Sequence, residues 1–270
     1  MERRRLDVYL VEKGLFPSRE RARSAVMAGH VYVSGRCVDK PGTPVPPDAV
    51  VEVRGTDRPY VSRGGLKLEG AVTAFGIDLR GKVVLDAGAS TGGFTDCALQ
   101  HGARRVYAVD VGYGQLDWSL RTDPRVTVLE RANIRYLDSE ALDESPDFVT
   151  VDLSFISLGK VLPNIDRLVA ADAEAMLLVK PQFEAGPEKV GKKGVIRDPA
   201  VHAEVLGRVL DTVRGLGWQV RGVAFSPIRG PEGNIEYLVY AAKRHDPERE
   251  WRGTVGAVVE KAHAALGSGK

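Results

Sequence analysis

Between residues 82 and 242, short apolar blocks alternate with segments whose apolar residues recur at helical spacing. The blocks predict strands over 83–86, 106–110, 126–129, 148–152 and 175–180, and the intervening periodicity predicts helices over 93–101, 113–121, 158–170 and 199–215. Strands that alternate with helices need crossover connections, which makes the sheet mainly parallel and the domain α/β, doubly wound. The end of the pattern differs. Residues 218–225 and 236–241 read as two strands joined only by a Pro- and Gly-rich loop, so the last pair is expected to be antiparallel. Ahead of the first strand, 66–75 is apolar at helical spacing and closes at Gly76.

The opening of the chain is patterned otherwise. Leu6, Val8, Leu10 and Val11, stopped by Gly14, predict a short helix. Pro17-Ser18 is a start signal for a second helix, with Ala22, Ala25, Val26 and Met27 on its apolar side and Gly29 at its end. Val31 and Val33 alternate with Tyr32 before a Ser34-Gly35 turn, and Val38, Val50, Val51 and Val53 continue the β pattern. The expected division is a small α+β domain over 1–58, a linker over 59–65 and an α/β domain over 66–270.

Charge sharpens that division. The net +2 conceals an asymmetry: residues 1–67 carry 13 Lys and Arg against 8 Asp and Glu, a net +5, and the rest of the chain is −3. A basic module ahead of a near-neutral body suits a polyanionic partner. Arg19, Arg21 and Arg23 crowd the start of the second helix, where the helix dipole disfavours cations, so an external anion is expected there. With 43% hydrophobic and 27% charged residues the composition is that of a soluble globular protein. No apolar run approaches the ~20 residues that span a bilayer, and the start lacks the apolar stretch of a signal peptide. Two cysteines, Cys37 and Cys97, are too few for a disulfide framework or a zinc motif, so a reducing cytoplasm is the expected compartment.

Ligands of an open parallel sheet bind at the carboxyl ends of its strands. The first strand runs into Asp86-Ala87-Gly88-Ala89-Ser90-Thr91-Gly92-Gly93-Phe94, a glycine-rich turn into a helix. Asp110 ends the second strand, where a carboxylate can take two ribose hydroxyls, and the amide of Asn133 after the third suits an adenine edge. The spacing Gly88-x3-Gly92-Gly93 departs from G-x-G-x-x-G, and a carboxylate at Asp86 would repel a pyrophosphate; S-adenosylmethionine is therefore favoured over a nicotinamide dinucleotide. The fourth strand ends Asp152-Leu153-Ser154-Phe155, without the diproline of enzymes that methylate base amino groups. Lys180 closes the fifth strand, and its ammonium must enter the crevice, where Asp152 and Glu236 would orient it. With Lys67 from the entering helix, two lysines and two carboxylates from four segments are expected to meet. The Gly- and Lys-rich loop over 184–198, with Lys192 and Lys193, is expected to cover that crevice.

Two resemblances follow from these residues. The stretches Arg5-Leu6-Asp7, Ser18-Arg19-Glu20-Arg21-Ala22 and Gly29-His30-Val31-Tyr32-Val33-Ser34-Gly35 resemble the alpha-L domain, the small RNA-binding domain first recognised in ribosomal protein "S-four". That likeness implies phosphate contacts by Arg3, Arg5, Arg19, Arg23 and Lys40, and Arg63 in the junction is expected to join them. Lys67, Asp152, Lys180 and Glu236 resemble the Lys-Asp-Lys-Glu tetrad of FtsJ/RrmJ-type ribose 2'-O-methyltransferases. With Ser62-Arg63-Gly64-Gly65-x-Lys67-Leu68, the glycine loop, Asp152-Leu153-Ser154-Phe155-Ile156-Ser157, Lys180-Pro181-Gln182-Phe183-Glu184 and Ser226-Pro227-x6-Asn234-x-Glu236, the chain is similar over nearly its full length to the TlyA family of haemolysin A and ribosomal RNA 2'-O-methyltransferases.

The resemblance implies a Rossmann-like S-adenosylmethionine-dependent methyltransferase fold behind an alpha-L domain. It implies transfer to a cytidine ribose of large-subunit and, in some members, small-subunit ribosomal RNA, with the RNA or the subunit as partner. Cofactor contacts are expected from Asp86, Gly88, Ser90, Gly92, Gly93, Phe94, Asp110, Asn133 and Asp152. Lys180 would act as base or oxyanion stabiliser, Asp152 would hold it, and Lys67 and Glu236 would fix the ribose; the reaction calls for no metal. Two other classes compete, a membrane-active haemolysin and a catalytically silent RNA-binding adaptor. The lack of a long amphipathic helix beyond 257–266 weighs against the first and the intact tetrad against the second.

Overall fold

The computed structural model describes residues 4–16, 18–27, 30–53, 59–191 and 194–267. The chain divides into two units, residues 1–59 and 60–270.

In the first unit, β1 (Arg4–Arg5) leads directly into α1 (Leu6–Glu12), followed by α2 (Arg19–Met27), β2 (Val31–Val33), β3 (Arg36–Cys37), β4 (Pro44–Val45) and β5 (Val51–Val53). Strands β3-β2-β5 form one antiparallel sheet, and β1 pairs with β4 in a second. Ser34 (φ 49°) and Gly35 (φ 78°) both lie in the left-handed region, the geometry that a two-residue hairpin between twisted strands demands. Leu6, Tyr9, Leu10, Ala22, Val26, Val31 and Val45 form the core. Met27, expected on the buried side of α2, is 60% exposed, because the i, i+4 pair Ala22 and Val26 sets the core-facing stripe and Met27 lies about 100° around the helix from Val26.

The unexpected member of this unit is Asp7, which is fully buried. Its carboxylate takes 3.0 Å hydrogen bonds from Nε and Nη2 of Arg5 and a 3.2 Å bond from Nη2 of Arg19. The arginine at the start of α2 thus answers an anion inside the protein, which corrects the expectation that it serves only an external one. The Arg5 hydrogen bonds, joined by Arg19 and outweighing burial, hold the Asp7 carboxyl down at about 2. A carboxyl held below its unfolded value of 3.8 stabilises the fold fully above that value, and the contribution is lost as pH falls through about 2. Amide exchange in 6–12 and 19–27, corrected for intrinsic rates, is therefore expected to accelerate over that acid window, and Asp7→Asn to abolish the dependence; an unchanged profile in the variant would refute it.

The second unit holds α3 (Gly64–Phe75), β6 (Val83–Ala87), α4 (Gly93–Gln100), β7 (Arg105–Asp110), α5 (Trp118–Arg121), β8 (Val126–Glu130) and β9 (Phe148–Val151). It continues with α6 (Leu162–Leu168), β10 (Glu174–Val179), α7 (Pro181–Glu184), α8 (Pro199–Gly215), β11 (Gln219–Phe225), β12 (Tyr237–Ala242) and α9 (Val255–Leu266). The strand order is β11-β12-β10-β9-β6-β7-β8. Strands β8, β7, β6, β9 and β10 are mutually parallel, and β12 runs antiparallel between β10 and β11, as the loop between the last two strands predicts. The chain leaves β6 toward β7 on one side and returns through β9 on the other, which opens a crevice at their carboxyl ends. Apolar layers cover both faces of the sheet.

Three expectations shift. Residues 60–65 are not a linker: Tyr60 is buried in the second unit, Val61 donates its N–H to Asp96 Oδ2 at 2.7 Å, and α3 already starts at Gly64. The helix expected over 113–121 forms only from Trp118: Gly114 is left-handed (φ 69°), and the Asp117 carboxylate caps the later start by accepting the Ser119 N–H at 2.9 Å. The helix expected over 158–170 breaks into a 3₁₀ turn over 158–160 and α6, which has Pro163 in its first turn, where a missing N–H costs nothing.

Candidate active site

Parallel β9 and β10 end at the same edge of the sheet, so Asp152 and Lys180, each one residue past its strand, emerge side by side. Because β12 is antiparallel to β10, it begins where β10 ends, with Tyr237 opposite Val179, and this brings Glu236 to the same edge. Helix α3 supplies Lys67. Lys180 Nζ lies 2.6 Å from Asp152 Oδ1 and donates to Ser154 Oγ at 3.1 Å; Lys67 Nζ lies 2.6 Å from Glu236 Oε2. Glu236 therefore pairs with Lys67, which corrects the expectation that it orients Lys180; of the two carboxylates expected there, Asp152 is the one that pairs with Lys180.

The two pairs feel one another. Burial pushes the Glu236 carboxyl upward, Lys67 and then Lys180 pull it back, and the Asp152 charge adds to the rise. The Lys67 and Glu236 side chains are 8% and 1% exposed, so this pair is an ionic contact removed from water. Glu236 Oε1 is buried with no hydrogen-bond partner among the described residues. It is approached so closely by Gly230 that a Cβ there would sit 2.5 Å away.

Two cavities meet at this edge. One, of about 350 Å³, is lined by Lys67, Asp152, Lys180, Glu236, Arg63 and Phe94, among others. The other, of about 480 Å³, has Asp110, Val111, Asn133 and Ile134 on its wall. Gly88, Ser90, Asp152, Ser154 and Phe155 belong to both. Gly88 (φ 90°) permits the contact of loop and strand end, since a Cβ would lie 2.4 Å from the Asp152 carbonyl oxygen. Asp110 is aimed by two backbone donors, Ser90 N–H to Oδ2 at 2.8 Å and Gly112 N–H to Oδ1 at 2.7 Å. Asn133 accepts the Arg135 N–H at 3.0 Å through Oδ1, which leaves its amide donors for other partners.

Two candidate cofactor contacts are corrected. Asp86 lines neither cavity. Strand alternation turns it to the α4 side of the sheet, fully buried, where Thr95 and Thr150 hydroxyls donate to it at 2.6 and 2.9 Å, and burial pushes its carboxyl up to about 6. Gly92 also stands outside both: a Cβ there would meet Leu120 Cδ1 at 2.2 Å, so its bare α-carbon serves packing. Gly93 and Phe94 line the smaller cavity, and Gly93 lets α4 abut Ser62, whose Oγ would be 2.3 Å from a Cβ.

Of the arginines and lysines expected at RNA, Arg3 lies outside the described residues, as do Lys192 and Lys193 of the loop expected to cover the crevice. Arg5 and Arg19 are half exposed while holding Asp7. Arg23 and Lys40 are exposed. Arg63 stands at the cavity, its Nη2 3.4 Å from the Arg229 carbonyl.

Several residues carry roles that the sequence motifs containing them did not assign. Ser154 is the second partner of Lys180. Phe155, at φ 63° and 91% exposed, sits between the cavities with its ring 4.9 Å from that of Phe183. Asn234, fully buried, staples the loop over 184–198 by accepting the Ile196 N–H and donating to the Gly194 carbonyl, and none of that loop's described residues lines either cavity. A polar residue just past an apolar block was a signal for the first of these; Asn234 stood out only as a member of its motif, and partners some forty positions away gave no local sign of the staple.

Comparison with known proteins fits this geometry. The FtsJ-like methyltransferase profile matches residues 60–243 and the S4 domain profile residues 4–51. The chain is 46% identical over 268 residues to the 16S/23S rRNA (cytidine-2'-O)-methyltransferase TlyA of Mycobacterium tuberculosis, covering 99% of this chain and 98% of that one. It is 41% identical over 237 residues to Hemolysin A of Brachyspira hyodysenteriae, covering 87% and 98%. A solved structure, "Putative hemolysin from Streptococcus thermophilus", superposes with a TM-score of 0.77 at 42% identity over 99% of this chain and 98% of that one. Among the described residues no helix is long and apolar enough to cross a membrane. Similarity of this extent, with an S4 domain ahead of an FtsJ-like catalytic unit, places the chain in the TlyA family of methyltransferases.

Proposed function

We propose that this chain transfers the methyl group of S-adenosylmethionine to the 2'-hydroxyl of a cytidine ribose in ribosomal RNA. The observation that carries this reading is the placement of the Lys180–Asp152 and Lys67–Glu236 pairs on the wall of the smaller cavity, with Asp152 shared with the larger one beside it. The residues fit the cofactor. A fixed carboxylate at Asp110 suits a ribose diol, Asn133 suits an adenine edge, and the Asp152 carboxylate at the shared wall suits a sulfonium cation. When bound, S-adenosylmethionine supplies an electrophilic methyl carbon with its own leaving group.

The work of the protein is then alignment and proton transfer. A ribose hydroxyl in the smaller cavity is held in line with the cofactor side by Lys67 and Glu236, which replaces a bimolecular encounter by a fixed approach. The Lys180 amine, once its ammonium has given up a proton to water, takes the hydroxyl proton as the O–C bond forms, and the ammonium so restored is held again by Asp152 and Ser154. The 91% exposed ring of Phe155 offers a stacking face to an unpaired base at the cavity mouth. In the first unit Arg5, Arg19, Arg23 and Lys40, with Arg3, would grip RNA phosphates, as the S4 profile supports.

The test is incubation with methyl-labelled S-adenosylmethionine and either naked ribosomal RNA or isolated subunits, followed by alkaline hydrolysis. A 2'-O-methyl group removes the nucleophile that cleaves the neighbouring phosphodiester, so label is expected in alkali-resistant dinucleotides. Label in mononucleotides would mean base methylation and would overturn the reading. Lysis of erythrocytes without any labelling of RNA would favour a toxin.

A further inference from the structure

Away from both cavities, on the outer side of the second unit, three potential ligand atoms converge. Cys97 and His101 are four residues apart at the end of α4 and so share a face of that helix; Glu69 reaches them from α3. The Cys97 Sγ, the His101 ring nitrogen and a Glu69 carboxylate oxygen all lie within 4.8 Å of one another. Glu69 Oε2 is 2.6 Å from His101 Nε2 and 4.0 Å from Cys97 Sγ, and it also accepts the Tyr60 hydroxyl at 2.5 Å. None of the three ligand residues lines the catalytic cavities.

We propose that Glu69, Cys97 and His101 form a binding site for one divalent cation of the zinc type, which ties α3 to α4. Around a tetrahedral ion with bonds of ~2.0–2.3 Å, ligand atoms stand on the order of 3.3–3.8 Å apart, a spacing that the observed distances bracket. Side-chain rotation of a few tenths of an ångström to about one ångström closes the set. The thiol, imidazole and carboxylate combination selects zinc over magnesium or calcium, which take oxygen alone. A thiolate and a carboxylate neutralise the ion's two charges, and the end of α4 points its partial negative charge at the same place. The Tyr60 hydroxyl, bonded to the Glu69 carboxylate, orients that ligand. Cys97 is wholly buried whereas His101 and Glu69 are 30% and 38% exposed, so the ion has a path in from solvent. Binding releases the Cys97 thiol proton to water as the sulfur–metal bond forms, and affinity therefore rises with pH. The helices joined are those that carry Lys67 and Gly93-Phe94, so the ion would brace the catalytic edge without taking part in the reaction.

The full-length protein, stripped with a chelator and dialysed, is titrated with Co²⁺ alone as a spectroscopic substitute for Zn²⁺. One equivalent is expected to bring in sulfur-to-cobalt charge-transfer absorption and the intense visible bands of four-coordinate cobalt, both bleached by Zn²⁺. Cys97→Ser should lose the charge-transfer band, Cys37→Ser should keep it, and His101→Ala, at a partly exposed position, should weaken binding by about 100-fold or more. Absence of the charge-transfer band in folded wild type, its persistence in Cys97→Ser, or unchanged affinity in His101→Ala would each overturn the proposal. Because the readout is metal absorption, its failure leaves the methyltransferase reading untouched.

Discussion

Lys180→Ala is expected to lower methyl transfer by about 10²–10⁴-fold while S-adenosylmethionine binding changes only a few-fold. The Lys180 side chain is 10% exposed, is held at 2.6 Å by Asp152 and touches Ser154, so it occupies one position with little freedom to wander. Its loss removes the only proton acceptor proposed for the ribose hydroxyl. The cofactor is spared because the vacated Asp152 carboxylate still faces a cationic sulfonium. Lys180→Arg separates two roles: guanidinium retains the charge but does not take up a proton at neutral pH, so it should be nearly as inactive as alanine. Single-turnover labelling beside calorimetric titration of the cofactor measures both quantities, and near-normal transfer by either variant would remove Lys180 from the chemistry.

The second large effect concerns the buried pair. Glu236→Ala is expected to cost about 3–5 kcal/mol of folding stability, since it strands an ammonium whose side chain is 8% exposed. Lys67→Met combined with Glu236→Leu should recover most of that loss, because a buried ion pair exchanged for apolar groups of similar size is often neutral or stabilising. Activity should stay absent in the double variant. Such an outcome in urea denaturation and labelling would show a pair retained for function at no benefit to stability. A double variant as unstable as the single one would instead mean that the pair holds α3 against β12.

Much of this was legible before any coordinates. The alternation from Val83 to Gly215, the antiparallel final pair and the capped hairpin at Ser34-Gly35 all depend on periodicity and turn chemistry, which act within a few residues. The four tetrad residues were also legible: Asp152 and Lys180 close apolar blocks, Glu236 opens one, and Lys67 lies in a helix with a motif beside it. Local pattern failed where a distant partner decides. Asp86 sits next to a glycine loop and reads as a ligand contact, yet strand alternation sends it under α4 to two threonines, one of them 64 positions away. The helix expected over 113–121 keeps only its last turn, because Gly114 is left-handed and its N–H is drawn to Glu130, sixteen positions on. Arg19 read as a cation waiting for RNA, and the carboxylate it meets belongs to the preceding helix.

The order of strands and helices, the basic opening and the identity of the ionisable groups thus belong to the sequence by itself, because propensity, spacing and composition are properties of neighbours along the chain. Which lysine faces which carboxylate, the burial that sets Glu236 and Asp86 apart from ordinary acids, and the meeting of Glu69 with Cys97 and His101 were decided only by the tertiary structure. Coulomb energy and desolvation depend on distance through space and on the exclusion of water, and both come into being only when the sheet closes and the helices settle on it.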